Sequence, residues 1–175
     1  MNDIILNMLE RRSIRQYEDK TVSKETMAEI LNAGAWAPSA RNCQTWRLTG
    51  IIDPEKVQKL AAAVKKALGL AEPEDYSFYH APAFIIASNA KGYANAAADC
   101  ACAMENMMLA AHSMGLGTVW INQLKDTCGD AGVRELLTTF GVPEDHDVYA
   151  CCAVGYAAGE AKAPDRRAGA TAIVE

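Results

Sequence analysis

The sequence predicts an α+β fold, α/β-like in its later part, with a mixed sheet flanked by helices on both faces. Three observations carry this expectation. Helical patterns at residues 3–10 and again from Ser23 towards Pro38 precede the first strand pattern. Beyond them strand and helix patterns alternate, as they do where helices pack over a sheet. Residues 99–121, DCACAMENMMLAAHSMGLGTVWI, pass from a long helix to a strand through Gly115-Leu116-Gly117, where the apolar period changes and glycine stops the helix. No GxGxxG follows a strand pattern, which disfavours a Rossmann arrangement.

The opening helix carries Ile4, Ile5, Met8 and Leu9 on one face, with Asn2 or Asp3 as its cap. It runs into Arg11-Arg12-Ser13-Ile14-Arg15-Gln16-Tyr17. Three arginines and a serine just beyond a helix C-terminus form either a solvated charge run or a preassembled oxyanion site, because guanidinium forks and a hydroxyl match phosphate geometry. Ser23 caps a second helix bearing Met27, Ile30 and Leu31, which must end ahead of Pro38. The stretch from Ala37 through Pro38, Ser39, Ala40, Arg41, Asn42, Cys43, Gln44 and Thr45 to Trp46 is dense in amides and hydroxyls. It is either a polar turn or a ligand loop whose amides offer both donor and acceptor to a heteroaromatic ring.

Residues 46–52 read as a strand, and Asp53-Pro54 as a helix start with a cap and a first-turn proline, continuing through Val57, Leu60, Val64 and Leu68. Residues 69–80 form an acidic loop holding Tyr76, Phe78 and Tyr79, and residues 83–88 a near-continuously apolar strand. The helix within 99–121 spreads Cys102, Met104, Met107, Met108, Leu109, Ala111 and Met114 over more of its circumference than one core-facing stripe requires, so it is expected to be buried on several sides. Thr118-Val119-Trp120-Ile121 follows as a buried strand. Val133, Leu136, Leu137 and Phe140 mark a helix closed by Gly141, and residues 148–156 a strand buried on both faces. After Lys162, Pro164, Arg166 and Arg167 comes a short apolar end, Ala172-Ile173-Val174, able to pair as a last strand. With no repeat, linker or low-complexity tract, the 175 residues, 50% of them hydrophobic, read as a single domain spanning 1–175.

A net charge of −5 gives no support to a nonspecific nucleic-acid or membrane-surface role. The opening apolar run is too short for a signal peptide or a membrane span, so the expectation is a soluble cytoplasmic protein. The six cysteines, Cys43, Cys100, Cys102, Cys128, Cys151 and Cys152, form no CxxC pair. That spacing suits reduced core thiols rather than a zinc or iron–sulfur site, and no metal is expected. His80, His112 and His146 are scattered, with no carboxylate or nucleophile grouped around them, and read as structural.

Taken together, RRSIRQY, APSARNCQTW, GLGTVWI and the late APDRR resemble the FMN-dependent nitroreductase family, in its short form without a long lid insertion, over essentially the full length. RRSxR paired with APSxxNxQxW carries the resemblance; the glycine turn or the final arginines alone would not. The resemblance implies a homodimeric α+β three-layer sandwich with two FMN sites at the subunit interface and the apolar helix in the dimer core. It implies that Arg11, Arg12, Ser13 and Arg15 hold the flavin's phosphate and polar ring edge, and that Pro38, Ser39, Asn42 and Gln44 contact it from the other chain. Trp120, Ile121, Asn122 and Gln123 would lie along the isoalloxazine, and Arg166 and Arg167 would close on the phosphate. Thr45 stands where the family usually has proline, Asn122-Gln123 where it has a small or acidic residue, and Tyr156 lacks the usual following proline. None of these departures removes a charged phosphate ligand.

The implied activity is that of an NAD(P)H-dependent flavin oxidoreductase acting on a nitroaromatic, quinone or similar acceptor in two half-reactions. No catalytic side chain is assigned, because the flavin transfers the hydride while the protein orients the ring and sets its potential. Two other readings stand beside it: specialised flavin chemistry such as reductive dehalogenation or ring cleavage, and a noncatalytic flavin or protein binder. The compact 69–80 segment leaves little material for a closing lid.

Overall fold

Four helices begin where a side-chain oxygen meets their free amides. Asn2 caps α1 (Asp3–Glu10) through the amide of Ile4, and Ser23 caps α2 (Lys24–Ala35) through that of Thr26. Asp53, followed by Pro54, caps α3 (Pro54–Ala67), and Asp130 caps α6 (Ala131–Thr139). The other elements are β1 (Arg47–Ile51), β2 (Ala83–Ala90), α4 (Ala96–Ser113), β3 (Gly117–Trp120), the short α5 (Gln123–Thr127) and β4 (His146–Gly155). Single 3-10 turns lie at Ala40–Asn42 and Phe78–His80. The structure, a computed structural model, describes residues 1–71 and 75–175. Glu72 and Glu74 of the expected acidic loop fall outside the described residues.

The α+β class is as expected, and the layers are three. On one side of the sheet α3, α5 and α6 bury Val57, Leu60, Val64, Leu124, Val133 and Leu137 against Phe84, Ile86 and Cys151. On the other, α2 and α4 bury Ile30, Met104 and Met107 against Ala83, Ile85 and Cys152. The alternation along β2 sends successive side chains to opposite cores, which is why its residues from Ala83 to Asn89 are all buried. Each fully buried large apolar side chain contributes about 1.5–3 kcal/mol relative to exposure.

The sheet itself is not mixed. Its order is β1-β2-β4-β3, and every neighbouring pair is antiparallel. The α4 crossover does make β2 and β3 parallel in direction, as a strand–helix–strand pattern requires, but β4 inserts between them and turns both contacts antiparallel. Among the described residues the only parallel pairing outside these ladders is the isolated bridge Ser13↔Thr118.

Two further expectations change. α4 buries Cys100, Ala103, Met104, Met107, Met108 and Ala111 within one chain, against α2, β2 and β4, while Ala101, Cys102 and Glu105 stay exposed. It therefore presents one broad buried face, and its methionines do not require a second subunit. A contiguous run of uncovered apolar side chains lies on α1, none of whose residues is buried and whose Ile4, Ile5, Leu6, Met8 and Leu9 are 40–67% exposed. The apolar end at 172–174 forms no strand, and Ile173 and Val174 are almost fully exposed. Three residues gain too few ladder bonds to offset the entropy of ordering them, and the outer edge of β3 is already engaged through Thr118 by the segment after α1.

Candidate functional site

The arginine segment leaves α1 at Arg11, whose extended backbone ends the helix while its N–H still donates to the Asn7 carbonyl. From there the chain is laid along the sheet. The Ile14 amide donates to the Thr118 carbonyl at 2.9 Å, that of Glu18 to Tyr156 at 2.9 Å, and that of Ala158 back to Gln16 at 3.0 Å. Two glycines make this approach sterically open. A Cβ on Gly117 would meet Ile14 Cγ1 at 2.5 Å, and one on Gly155 would meet the Tyr17 ring at 2.8 Å. The Tyr17 hydroxyl donates to the Ile14 carbonyl at 2.8 Å. Burial, helped by Cys152 and Tyr79 and opposed by Arg15, pushes that phenol well up, so it remains a neutral donor.

The segment so fixed turns its cations into a cavity of about 290 Å³ lined by Arg11, Arg12, Ser13, Arg15, Ala161, Lys162, Pro164 and Arg166. The arginines are not equivalent. Arg12 Nη1 donates to the carbonyls of Leu9 and Arg11, both at 2.7 Å, and so satisfies the end of α1. Arg11 Nε lies 3.8 Å from the Glu105 carboxylate of α4, while its Nη1 is buried with no hydrogen-bond partner among the described residues. Leaving a guanidinium nitrogen buried without a partner has a cost, and Arg11 carries it at the edge of a cavity already crowded with positive charge.

Arg15 lines this cavity and two others, of about 490 and 520 Å³. The larger holds Gln16, Tyr17, Tyr76, Tyr79, His80, Ile121 and Gln123, with Arg15 Cζ 5.9 Å from the Tyr79 ring centroid. Three non-glycine residues in succession, Phe78, Tyr79 and His80, take left-handed backbone angles at its wall (φ 51°, 60° and 52°). Such a run persists only where its surroundings hold it. His80 Nε2 sits 3.1 Å from Asp75 Oδ2, and this hydrogen bond, with a second from Ser77, holds the Asp75 carboxyl below the usual carboxylate range. The reading of His80 as lacking a carboxylate is thereby corrected.

The other expected loop lies elsewhere. Neither the arginine cavity nor the larger one beside it has a lining residue from 38–44. The loop is nonetheless built: Ser39 Oγ accepts from the Gln44 amide, Gln44 Nε2 donates to Asn42 Oδ1 at 2.7 Å, and Arg41, Asn42 and Gln44 are all left-handed. Asp99, buried in the first turn of α4, accepts from the Ala40 amide at 3.0 Å and ties the loop down. Asn42 and Gln44 remain exposed, as do Trp120 at the end of β3 and Asn122 ahead of α5. Arg166 lines the arginine cavity; Arg167 does not and is exposed.

The structure thus joins Arg11, Arg12, Ser13, Arg15 and Arg166 around one cavity and Ile121 and Gln123 around its neighbour, and leaves Pro38, Ser39, Asn42 and Gln44 apart. Lys162, Glu105, Asp99 and the Asp75–His80 pair join the description as residues whose sequence pattern gave no sign of a shared site. Among the described residues no group of three or more His, Cys, Asp or Glu could hold a metal ion, and no helix is long and apolar enough to cross a membrane.

The model of the nitroreductase family matches residues 8–156. A solved nitroreductase with bound FMN from Bacteroides fragilis is 40% identical, with a TM-score of 0.94 over 100% of both chains. An FMN-dependent nitroreductase from Clostridium difficile is 30% identical, with a TM-score of 0.75, covering 92% of this chain and 91% of that one. A provisionally named NADH dehydrogenase/NAD(P)H nitroreductase from Archaeoglobus fulgidus is 32% identical over 160 residues, 89% of this chain and 86% of the relative.

Proposed function

The chain belongs to the nitroreductase family, and from that premise we propose that it is an FMN-dependent oxidoreductase that takes hydride from NAD(P)H and reduces a nitroaromatic, quinone or similar small acceptor in two half-reactions. The observation that carries the proposal is the cavity lined by five cationic side chains, Arg11, Arg12, Arg15, Lys162 and Arg166, together with Ser13. The donor set fits a phosphomonoester: guanidinium forks for its oxygens and a hydroxyl beside them. In this reading Arg11, Ser13, Lys162 and Arg166 hold the phosphate, and Arg12 adds charge while it secures the end of α1. Ile121 and Gln123 wall the space along the ring. Arg15, at the junction of the cavities, places a positive charge at the polar ring edge, which favours an anionic reduced form over a neutral one. Flavin supplies the hydride acceptance and donation when bound; this chain's residues bind it, orient it and bias its charge.

The chain acts as a homodimer in this proposal, with Pro38, Ser39, Asn42 and Gln44 serving the partner's ring. Two features support that assembly: the ligand loop lies outside its own chain's arginine cavity, and α1 carries an uncovered apolar face.

The test uses the purified full chain. The released cofactor should be FMN by mass spectrometry, its absorbance should bleach anaerobically with NADH or NADPH, and an added quinone or nitroaromatic should restore it. Recovery of FAD, or of no flavin even after reconstitution, overturns the reading.

A further inference from the structure

We propose that Asp99 is a positioning residue for the partner's flavin site: from inside its own chain it fixes the 38–44 loop in the shape that meets the ring bound by the other subunit. The inference rests on the shared-site reading above and names what holds the loop in place.

The loop cannot set its own place on the molecule. Arg41, Asn42 and Gln44 have φ of 54°, 56° and 49°, left-handed angles that cost a residue with a Cβ and persist only where the surroundings hold them. Its inner bonds, from the Gln44 amide to Ser39 Oγ and from Gln44 Nε2 to Asn42 Oδ1, join loop to loop. The Ala40 amide instead reaches across to α4, where Asp99 Oδ1 accepts it at 3.0 Å. A hydrogen bond to a carboxylate is stronger than one between neutral groups, and this one is held from below. Asp99 is 5% exposed, in the first turn of an α4 whose Ala103, Met104 and Met107 are fully buried. Its other oxygen, Oδ2, is buried with no hydrogen-bond partner among the described residues. That carries a desolvation cost, which the positive end of the α4 dipole partly offsets. The same helix also grips the chain ahead of the loop, since Asn106 Nδ2 donates to the Ala33 carbonyl at 3.2 Å. The bend from Ala33 to Ala40 is thus pinned to α4 on both sides, while Asn42 and Gln44 stay exposed beyond it. A rigid helix beneath an exposed loop lowers the ordering cost of a contact made by that loop.

The test reads bound flavin in full-length protein. Asp99→Ala should weaken FMN on the order of tenfold, as the loss of one charge-assisted bond implies, and weaken riboflavin by the same factor, because the loop serves the ring and not the phosphate. Asp99→Asn keeps an accepting oxygen and should recover most of that loss. Subunit exchange then separates positioning from general support. At an FMN concentration that fills wild type and leaves the variant homodimers largely empty, an equal mixture of Asp99→Ala with Arg11→Ala should refill about a quarter of the sites, since both lesions fall on one site of each mixed dimer. A mixture with Asn42→Ala should refill none, because each site then meets a damaged loop. A loss confined to FMN, refilling with Asn42→Ala, refilling with neither, or an Asp99→Asn as weak as Asp99→Ala overturns the proposal. Ala40→Pro removes the donor from the loop's side, behind a Ser39 whose extended backbone (ψ 154°) suits a following proline. It stands in for Asp99→Ala if that variant fails to fold, and the same mixtures decide. The control is Arg11→Ala with Asn42→Ala. No refilling there overturns the shared-site reading and the inference with it, whereas a failure of Asp99 alone leaves that control intact.

Discussion

Helices α1 and α4 are both rich in apolar side chains, yet one is exposed along its length and the other is the most enclosed helix of the α2 and α4 layer. In α4, Met104 and Met107 are fully buried, and Gly34 of α2 lets Met107 approach so closely that a Cβ there would meet its Cγ at 2.6 Å. In α1, Met8 is 53% exposed beside a shallow apolar cavity of about 330 Å³ shared with Leu109. The difference teaches that periodicity reports how much apolar surface a helix offers but not what covers it. The sheet and α2 cover α4, whereas α1 keeps its apolar side chains exposed on the single chain, the face offered to the subunit of the proposed dimer.

Five measurements can break or sharpen this contrast. The largest effect belongs to Met107→Ala, which should cost about 2–5 kcal/mol of stability in urea unfolding because a rigid core leaves a cavity. Leu9→Ala, measured at concentrations where the chain is a monomer, should cost much less; equal losses would erase the distinction. Next, Met8→Glu should leave the circular dichroism spectrum intact and dissociate the dimer in sedimentation, with flavin lost as the subunits part.

The third concerns what the proposed dimer does. Arg11→Ala and Asn42→Ala homodimers should each be inactive, yet after subunit exchange an equal mixture should recover about a quarter of wild-type activity, because half the mixed dimers' sites collect neither lesion. No recovery, with exchange verified by native mass spectrometry, would place both groups in one chain's site.

Thiol labelling resolves α4 residue by residue. Burial pushes the Cys100 and Cys152 thiols up to about 12 and Cys151 well above its ordinary value, whereas Cys43 and Cys102 are exposed on the single chain. In the Met8→Glu monomer at about pH 8 Cys43 should react at once and the four buried thiols, Cys128 included, only on unfolding. Cys102, on the outer face of α4, should react fast in the Met8→Glu monomer, and slowing in the wild type would show that this face is covered too.

The smallest effect is a pH slope near the junction of the two helices. Burial, reinforced by Arg11 and Arg12 and opposed by Glu10, holds the His112 imidazole below its ordinary value. The unfolded chain then binds this proton more readily than the folded one, so stability is full above about pH 6.5 and falls as pH drops towards the lowered folded value. His112→Asn should flatten that part of a Tm against pH profile; an unchanged slope would assign it to other groups.

The arginine segment was legible in the sequence because adjacent guanidinium groups and a hydroxyl are chemically distinctive wherever they fold. The helix starts at Ser23 and Asp53 were equally legible, since capping is local. Strand order was not: nothing in an alternation of helix and strand says that β4 will enter between β2 and β3. Glu105 and Asp99 look like any helix-surface acid until tertiary packing sets one beside Arg11 and the other beside the Ala40 amide. The Asp75–His80 contact depends on three left-handed residues, none of them glycine, so no turn signal announced it.

The arginine cavity draws one wall from residues 11–15 and the opposite wall from residues 161–166. During synthesis Arg11 and Arg12 leave the ribosome well before β3 can receive Ile14 and before Lys162 and Arg166 can complete the cavity. A ribosome-bound chain that has not reached that point holds an open cluster of positive charge and no enclosed pocket. On the proposed reading of this cavity as the phosphate site, the cofactor can be enclosed only after residues 161–166 have left the ribosome, so a loaded chain reports that folding has joined two segments about 150 residues apart.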